Sequence, residues 1–247
     1  MLTEPTLDKL KDLTLHGMAN AFVEQLKKND VHDLAFEDRF GLIVDAEWIL
    51  RHNKRLDRRL REAKLRFPNA CIEDVEASAS RGLDKATLQR LATCAWIEEH
   101  MAVLVTGATG TGKSYFACAL AQQACRRGYR ALYRRASRLY DELHLARADG
   151  TYPKVLARIA RMDVLIIDDF GLGSLREADR QALLDVLEDR YGNRSTITTS
   201  QLPPSAWHDY IGEPTLADSI CDRVVHAAHR VTLKGPSRRK PKEETED

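Results

Sequence analysis

Met101-Ala-Val-Leu-Val-Thr-Gly-Ala-Thr-Gly-Thr-Gly-Lys-Ser114 is the stretch whose reading decides the fold. Residues 101–106 form an apolar run of the length expected for a buried strand. They enter Gly107-Ala108-Thr109-Gly110-Thr111-Gly112-Lys113-Ser114, and residues 113–127 leave with helical spacing. Strand, glycine loop and helix together are the setting in which G-x-x-x-x-G-K-[ST] cradles phosphate. The glycines let the backbone turn several N–H groups inward with no Cβ in the way. The helix start adds the positive end of its dipole. Lys113 is expected to reach the β- and γ-phosphates and the Ser114 hydroxyl to ligate Mg²⁺, so the expected ligand is Mg·ATP.

A site of this kind needs a second element to hold the metal, and Val164-Leu-Ile-Ile-Asp-Asp169 supplies one. Four apolar residues bury a central strand, and its C-terminal end lies at the edge of the sheet where ligands bind. Asp168 is expected to hold Mg²⁺ and Asp169 to polarise the attacking water. Guanine recognition would need Asn-Lys-x-Asp after a later strand. Asn53-Lys-Arg-Leu-Asp57 is off by one residue and precedes the loop, which disfavours a GTPase.

Outward from these two stretches, residues 131–133, 164–168, 196–200 and 230–233 also read as strands. Helices are expected over 113–127, 137–148, 152–161, 178–191 and 216–229. The alternation predicts an α/β domain with a parallel five-stranded sheet covered on both faces. Before it, Leu7, Leu10, Met18, Phe22 and Leu26 predict a helix from about Thr6 to Lys28, ended by Asn29-Asp30. Asp33 is expected to cap a second helix, carried by Phe36, Phe40, Ile43, Leu50, Leu56 and Leu60 to Phe67-Pro68. The expected domains are thus a helical appendage over 1–67, the nucleotide-binding domain over 68–234, and a disordered charged tail over 235–247.

The 247 residues carry a net charge of only +1, so any attraction to nucleic acid must be local. No apolar run approaches a membrane span and the N-terminus has no leader pattern, so a cytoplasmic protein without a membrane partner is expected. Five scattered cysteines form no C-x-x-C, and Cys118 and Cys125 read as core thiols. His226 and His229 have no partner to complete a zinc set. Trp48, Trp96 and Trp207 read as core or interface aromatics.

From Leu91-Ala-Thr-Cys-Ala-Trp96 through the glycine loop to Leu233, the chain resembles the IstB family of insertion-sequence helper ATPases. The likeness is specific in Thr198-Thr-Ser-Gln-Leu-Pro-Pro204, in Ile211-Gly-Glu-Pro-Thr-Leu-Ala-Asp-Ser-Ile220 and in Asp222-Arg-Val-Val-His226. That family is similar to the helicase loader DnaC and the initiator DnaA, all AAA+ proteins that assemble on DNA. The resemblance implies an AAA+ fold, a homo-oligomer and a cognate transposase as partner. It also implies two further catalytic positions. Ser200 or its neighbour Thr199 would sense the γ-phosphate, and Arg223 would be a finger reaching the ATP of the adjacent subunit. The plainer alternatives are a strand-end hydroxyl serving as a cap and a helix-end arginine paired with Asp218 or Asp222. Larger AAA+ proteins carry a helical lid with another arginine. Little follows Leu233 here, which implies that a neighbouring protomer closes the pocket.

Duplex DNA would be met through its backbone. Lys54, Arg55, Arg58, Arg59 and Arg61 concentrate charge on the 51–66 segment, as either a phosphate-neutralising face or a solvated helix. Arg134, Arg135 and Arg138 form a second cluster, either channel-lining or plain surface charge. Two functions compete: a transposition helper that remodels target DNA, and a DnaC-like helicase loader. A metabolic kinase is a weaker third, lacking an acceptor-binding domain.

Overall fold

The computed structural model describes residues 3–27, 33–226 and 228–238. The chain divides into two compact units, Met1–Arg58 and Arg59–Asp247. In the first unit, the single helix expected from Thr6 to Lys28 is two helices, α1 (Thr3–Asp12) and α2 (His16–Lys27). The break is local: Thr14 adopts φ 57°, and the Leu15 N–H bonds back to the Leu10 carbonyl at 2.8 Å, a left-handed helix stop. Leu15 has no side-chain oxygen with which to cap α2. Glu47, on α3 (Phe36–Ala63), serves instead, accepting from Gly17 N–H at 2.6 Å and Met18 N–H at 3.1 Å. Burial alone would raise the Glu47 pKa. The Arg51 hydrogen bond and these two N–H groups outweigh it and hold the carboxyl below its usual range.

The helix end expected at Asn29-Asp30 lies outside the described residues. Ala35, not Asp33, precedes α3, whose first turn carries Glu37 and Asp38. The helix carries the chain across the division at Arg58 and stops at Ala63, where Lys64 takes φ 51°, rather than at Phe67-Pro68. That turn lets both Ala63 and Leu65 be buried. Phe36 and Phe40, expected to support the packing of this helix, are exposed; so is Trp48, stacked on His52, whereas Trp96 and Trp207 are core residues.

In the second unit, α4 (Lys85–Ala92) and α5 (Ala95–Glu98) lead into the sheet. Strands β1 (Ala102–Gly107), β2 (Ala131–Arg135), β3 (Val164–Phe170), β4 (Ser195–Ser200) and β5 (Ala228–Leu233) are all parallel, in the order β2-β3-β4-β1-β5. β1, β3 and β4 lie inside this order and are buried on both faces, which explains their near-unbroken apolar or Thr/Ser runs. The connecting helices are α6 (Lys113–Arg126), α7 (Ala136–Ala148), α8 (Tyr152–Ala160), α9 (Glu177–Glu188), α10 (Trp207–Ile211) and α11 (Pro214–Cys221). α6 packs across β1 to β4 with Phe116, Leu120 and its buried alanines. Leu139, Leu143, Ile159, Leu183, Val186, Trp207 and Ile220, from α7 to α11, share another core with Leu104, Leu132 and Leu165. Cys118 and Cys125 are in the core, where burial pushes each thiol up to about 11.

The helix expected to run to His229 is shorter. α11 passes into a π-helical turn over Asp222–His226, and β5 begins at Ala228 with His229 paired to Val103. Pairing along the whole of β1 overrides the helical period of the segment. The His226 side chain lies outside the described residues. Residues 235–238, expected to begin a disordered tail, are placed against the glycine loop, with Arg238 N–H donating to the Gly110 carbonyl at 2.9 Å. The remaining tail, 239–247, lies outside the described residues.

Candidate functional site

β1 ends at Gly107 and α6 begins at Lys113, so Ala108 to Gly112 form the loop between them. Gly107, Gly110 and Gly112 take φ of 144°, 85° and 99°, which side chains strongly disfavour. Lys113 is buried, its Nζ donating to the Ala108 carbonyl at 2.9 Å, and the Thr111 hydroxyl donates to the same oxygen. The loop thus holds its lysine folded inward, beside the start of α6.

Asp168 is fully buried at the end of β3 and accepts on both oxygens. Ser114 Oγ at 2.8 Å and Thr199 Oγ1 at 2.6 Å reach one oxygen; Tyr133 OH at 2.6 Å and Arg66 Nη1 at 3.4 Å reach the other. Burial and this bond to Asp168 push the Tyr133 hydroxyl far up, so it stays protonated and donates. Asp169 sits in a register shift between Ile167 and Phe170, at φ 59°, its N–H given to Thr199 Oγ1 at 3.0 Å. The bulge gives the consecutive carboxylates different hydrogen-bond partners, with Arg66 alone beside both. Asp169 Oδ2 takes a two-pronged bond from Arg135, at 2.8 and 3.2 Å, with Arg66 Nη1 3.6 Å away. That hydrogen bond to Asp169 raises the Arg135 pKa.

Of the two candidates on β4, Thr199 touches Asp168. Ser200 is turned to the backbone, donating to the Phe170 carbonyl and accepting from Leu202 N–H, the capping alternative. Gln201, which sequence reasoning passed over, accepts from the Thr109 hydroxyl at 2.8 Å. Its signal was available in the position directly after a strand whose end faces the loop. Arg66 was read as one more basic residue of a helix, and nothing in its spacing marks it as a partner of β3.

The second basic cluster is divided. Arg134 is bound to Glu142 at 2.7 Å, Arg135 is on Asp169, and Arg138 is exposed beside Asp141. Lys54, Arg55, Arg58 and Arg61 are exposed on α3, with Arg59 half-buried. Arg223 is held by the Ser219 carbonyl and by Glu188, over the Tyr191 ring at 5.7 Å. Its carboxylate partner is therefore neither Asp218 nor Asp222.

A cavity of ≈ 400 Å³ opens on the loop, of the size of a cofactor site. Thr109 to Ser114, Asp169 and Gln201 line it, and so do the apolar side chains of Phe67, Val75, Leu83 and Leu233. The Phe67 and Tyr115 rings meet at 5.8 Å. Residues 67–83 carry no periodicity, so their part of the lining was not legible in the sequence. The lining suits a nucleotide: apolar side chains for a base and a cradle of N–H groups with a lysine for phosphates. Among the described residues, no three His, Cys, Asp or Glu side chains gather for a metal. One hydroxyl and one carboxylate at Ser114 and Asp168 still fit Mg²⁺, which takes its other ligands from phosphate and water. No helix among the described residues is long and apolar enough to cross a membrane.

In structure, the DnaC helicase loader superposes with a TM-score of 0.56 at 19% identity, over 68% of this chain and 99% of that one. DnaA bound to AMPPCP and single-stranded DNA gives 0.56 at 17% identity, over 68% and 51%. The fold is thus the one these two proteins share. In sequence, an insertion sequence ATP-binding protein of Sinorhizobium fredii is 48% identical over 97% of this chain and 98% of its own length. The ATP-binding protein of insertion sequence IS1162 from Pseudomonas fluorescens is 47% identical over 83% and 89%. The model of the IstB-like ATP binding proteins matches residues 8–246, and the chain belongs to that family.

Proposed function

We propose that the chain binds Mg·ATP in the cavity at residues 107–114, hydrolyses it in an oligomer formed on duplex DNA, and serves a transposase in target selection. The observation that carries this reading is the meeting of Lys113, Ser114, Asp168 and Asp169 at one edge of the parallel sheet, beside a cavity that Phe67, Val75 and Leu83 also line. The N–H groups of Ala108 to Ser114 would hold the phosphates, with Lys113 exchanging the Ala108 carbonyl for them. Ser114 and Asp168 would hold Mg²⁺, which neutralises charge on the phosphates when bound. Asp169 would orient water for attack on the γ-phosphorus as the bond to ADP breaks. Thr199 holds the Asp168 carboxylate and the Asp169 backbone N–H, and Gln201, just past β4, is the polar group that meets Thr109 of the loop. The identity to insertion-sequence relatives, set against 19% to the loader, favours a transposition role over helicase loading.

Arg135 offers a link between DNA and hydrolysis, since a guanidinium bound to Asp169 cannot also neutralise a DNA phosphate. Residues 1–67 would serve assembly and DNA contact through Lys54, Arg55, Arg58, Arg59 and Arg61. Arg223, held on Glu188 and Tyr191, would leave them to meet the ATP of a neighbouring copy. Mixing tests this. Arg223→Ala protomers keep an intact loop and Lys113→Ala protomers keep an intact finger, so mixtures on DNA should hydrolyse ATP faster than either alone. A strictly linear average across mixing ratios would remove the finger role.

A further inference from the structure

The chain leaves β5 past the glycine loop and does not leave the site. The Leu233 carbonyl is so close to Gly107 that a Cβ there would lie 2.2 Å from it. Lys234 N–H then donates to the Arg81 carbonyl at 2.9 Å, and Arg238 N–H to the Gly110 carbonyl at 2.9 Å. Ser237 packs on Gly110 so tightly that a Cβ on that glycine would fall 2.1 Å from the Ser237 hydroxyl. The Arg238 side chain lines the cavity and is ion-paired with Glu76, which lines it too.

From this we infer that Gly235–Arg238 is a strap that braces the glycine loop within its own subunit, and that Arg238 is an additional nucleotide-binding residue supplying a cation to the polyphosphate. The inference rests on the nucleotide-site reading above. The direction of the effect follows from the chemistry of the contact. Phosphate is recognised by loop N–H groups, whereas the strap bonds to a loop carbonyl, so it occupies the face that the ligand leaves unused. It therefore supports the loop and does not plug it. Arg238 stands with Lys113 at the same cavity, and its present partner is an exposed carboxylate on the rim. A polyphosphate carries more charge than Glu76 and binds guanidinium in the same planar manner. The strap thus gives the chain a closing element of its own, where the family resemblance alone implied that a neighbour must close the pocket.

Two full-length variants separate the parts of the strap. Arg238→Ala removes the cation and keeps the backbone donor; Arg238→Pro removes both. Titration with a fluorescent ATP analogue and Mg²⁺ should show affinity weakened roughly tenfold by the first, the worth of one charge-assisted contact. The second should be weaker still, and Arg238→Lys should recover part of the loss. Affinity unchanged in both variants would overturn the inference, and tighter binding would show a plug instead of a brace. Lys113→Ala in the same assay distinguishes the two readings. If it too binds normally, the nucleotide-site assignment fails; if it alone loses binding, only the strap does.

Discussion

Replacing Arg135 with alanine should raise ATP turnover in the absence of DNA. Asp169, the proposed water-orienting carboxylate, is held by two Arg135 donors on the same oxygen, at 2.8 and 3.2 Å. While that bond stands, its charge is committed to a guanidinium and not to water. The pair is partly screened, since the Arg135 side chain is 47% exposed and that of Asp169 17%. An exposed pair contributes up to about 1 kcal/mol, and the two-pronged geometry puts this one at the upper end. Releasing Asp169 should therefore accelerate a rate limited by that release about fivefold. The change should fall on kcat and leave KM nearly alone, because the loop and Lys113 are untouched. The stimulation by DNA should shrink by a similar factor, as the variant begins with Asp169 released from Arg135 and only Arg66, 3.6 Å away, beside it. Arg135→Lys, with a point charge in place of a fork, should fall between. Steady-state phosphate release with and without duplex DNA measures all of this. A DNA-free rate that falls in Arg135→Ala would refute the reasoning, because Arg135 would then be helping Asp169 and not restraining it.

Other substitutions probe the remaining parts. Asp168→Asn puts an amide before the Ser114, Thr199, Tyr133 and Arg66 donors, so it should weaken Mg-dependent ATP binding and destabilise the fold by about 1–3 kcal/mol. Asp169→Asn should keep binding and slow turnover; equal loss of metal-dependent affinity in both would abolish the division between them. Charge reversal at Arg55, Arg58 and Arg59 should weaken binding to unrelated DNA sequences alike, flattening the log–log salt slope by about 0.9 per lost phosphate contact. An unaltered slope would mean a solvated helix. The Glu47 carboxyl has a lowered pKa in the folded protein, so its contribution to stability is present above 4.5 and is lost as pH falls through the folded value. Acid unfolding followed by helical circular dichroism should shift in Glu47→Gln, whose amide cannot take up that proton, and an identical acid profile would count against the cap.

The glycine loop, the β3 carboxylates and the strand–helix alternation were legible because each is a local pattern. A buried parallel strand must be apolar throughout, a phosphate cradle needs glycines at set spacing, and both requirements act over a few neighbouring residues. Helix ends were less legible, since Thr14 and Lys64 adopt left-handed backbone that their residue types do not announce. Their causes are distant or structural, such as a Glu47 cap brought in from another helix and the burial of Leu65 beyond the turn. The same holds for the start of β5, fixed by its pairing with β1. Arg66, Arg135, Gln201 and Arg238 carry no motif. They reach the site because the turn after α3, β2, β3, β4 and the chain after β5 come together at one sheet edge, and charge and hydrogen bonding then select their partners. The local patterns were written in the sequence; which distant side chains they meet was decided only by the tertiary arrangement of the strands and the segments beside them.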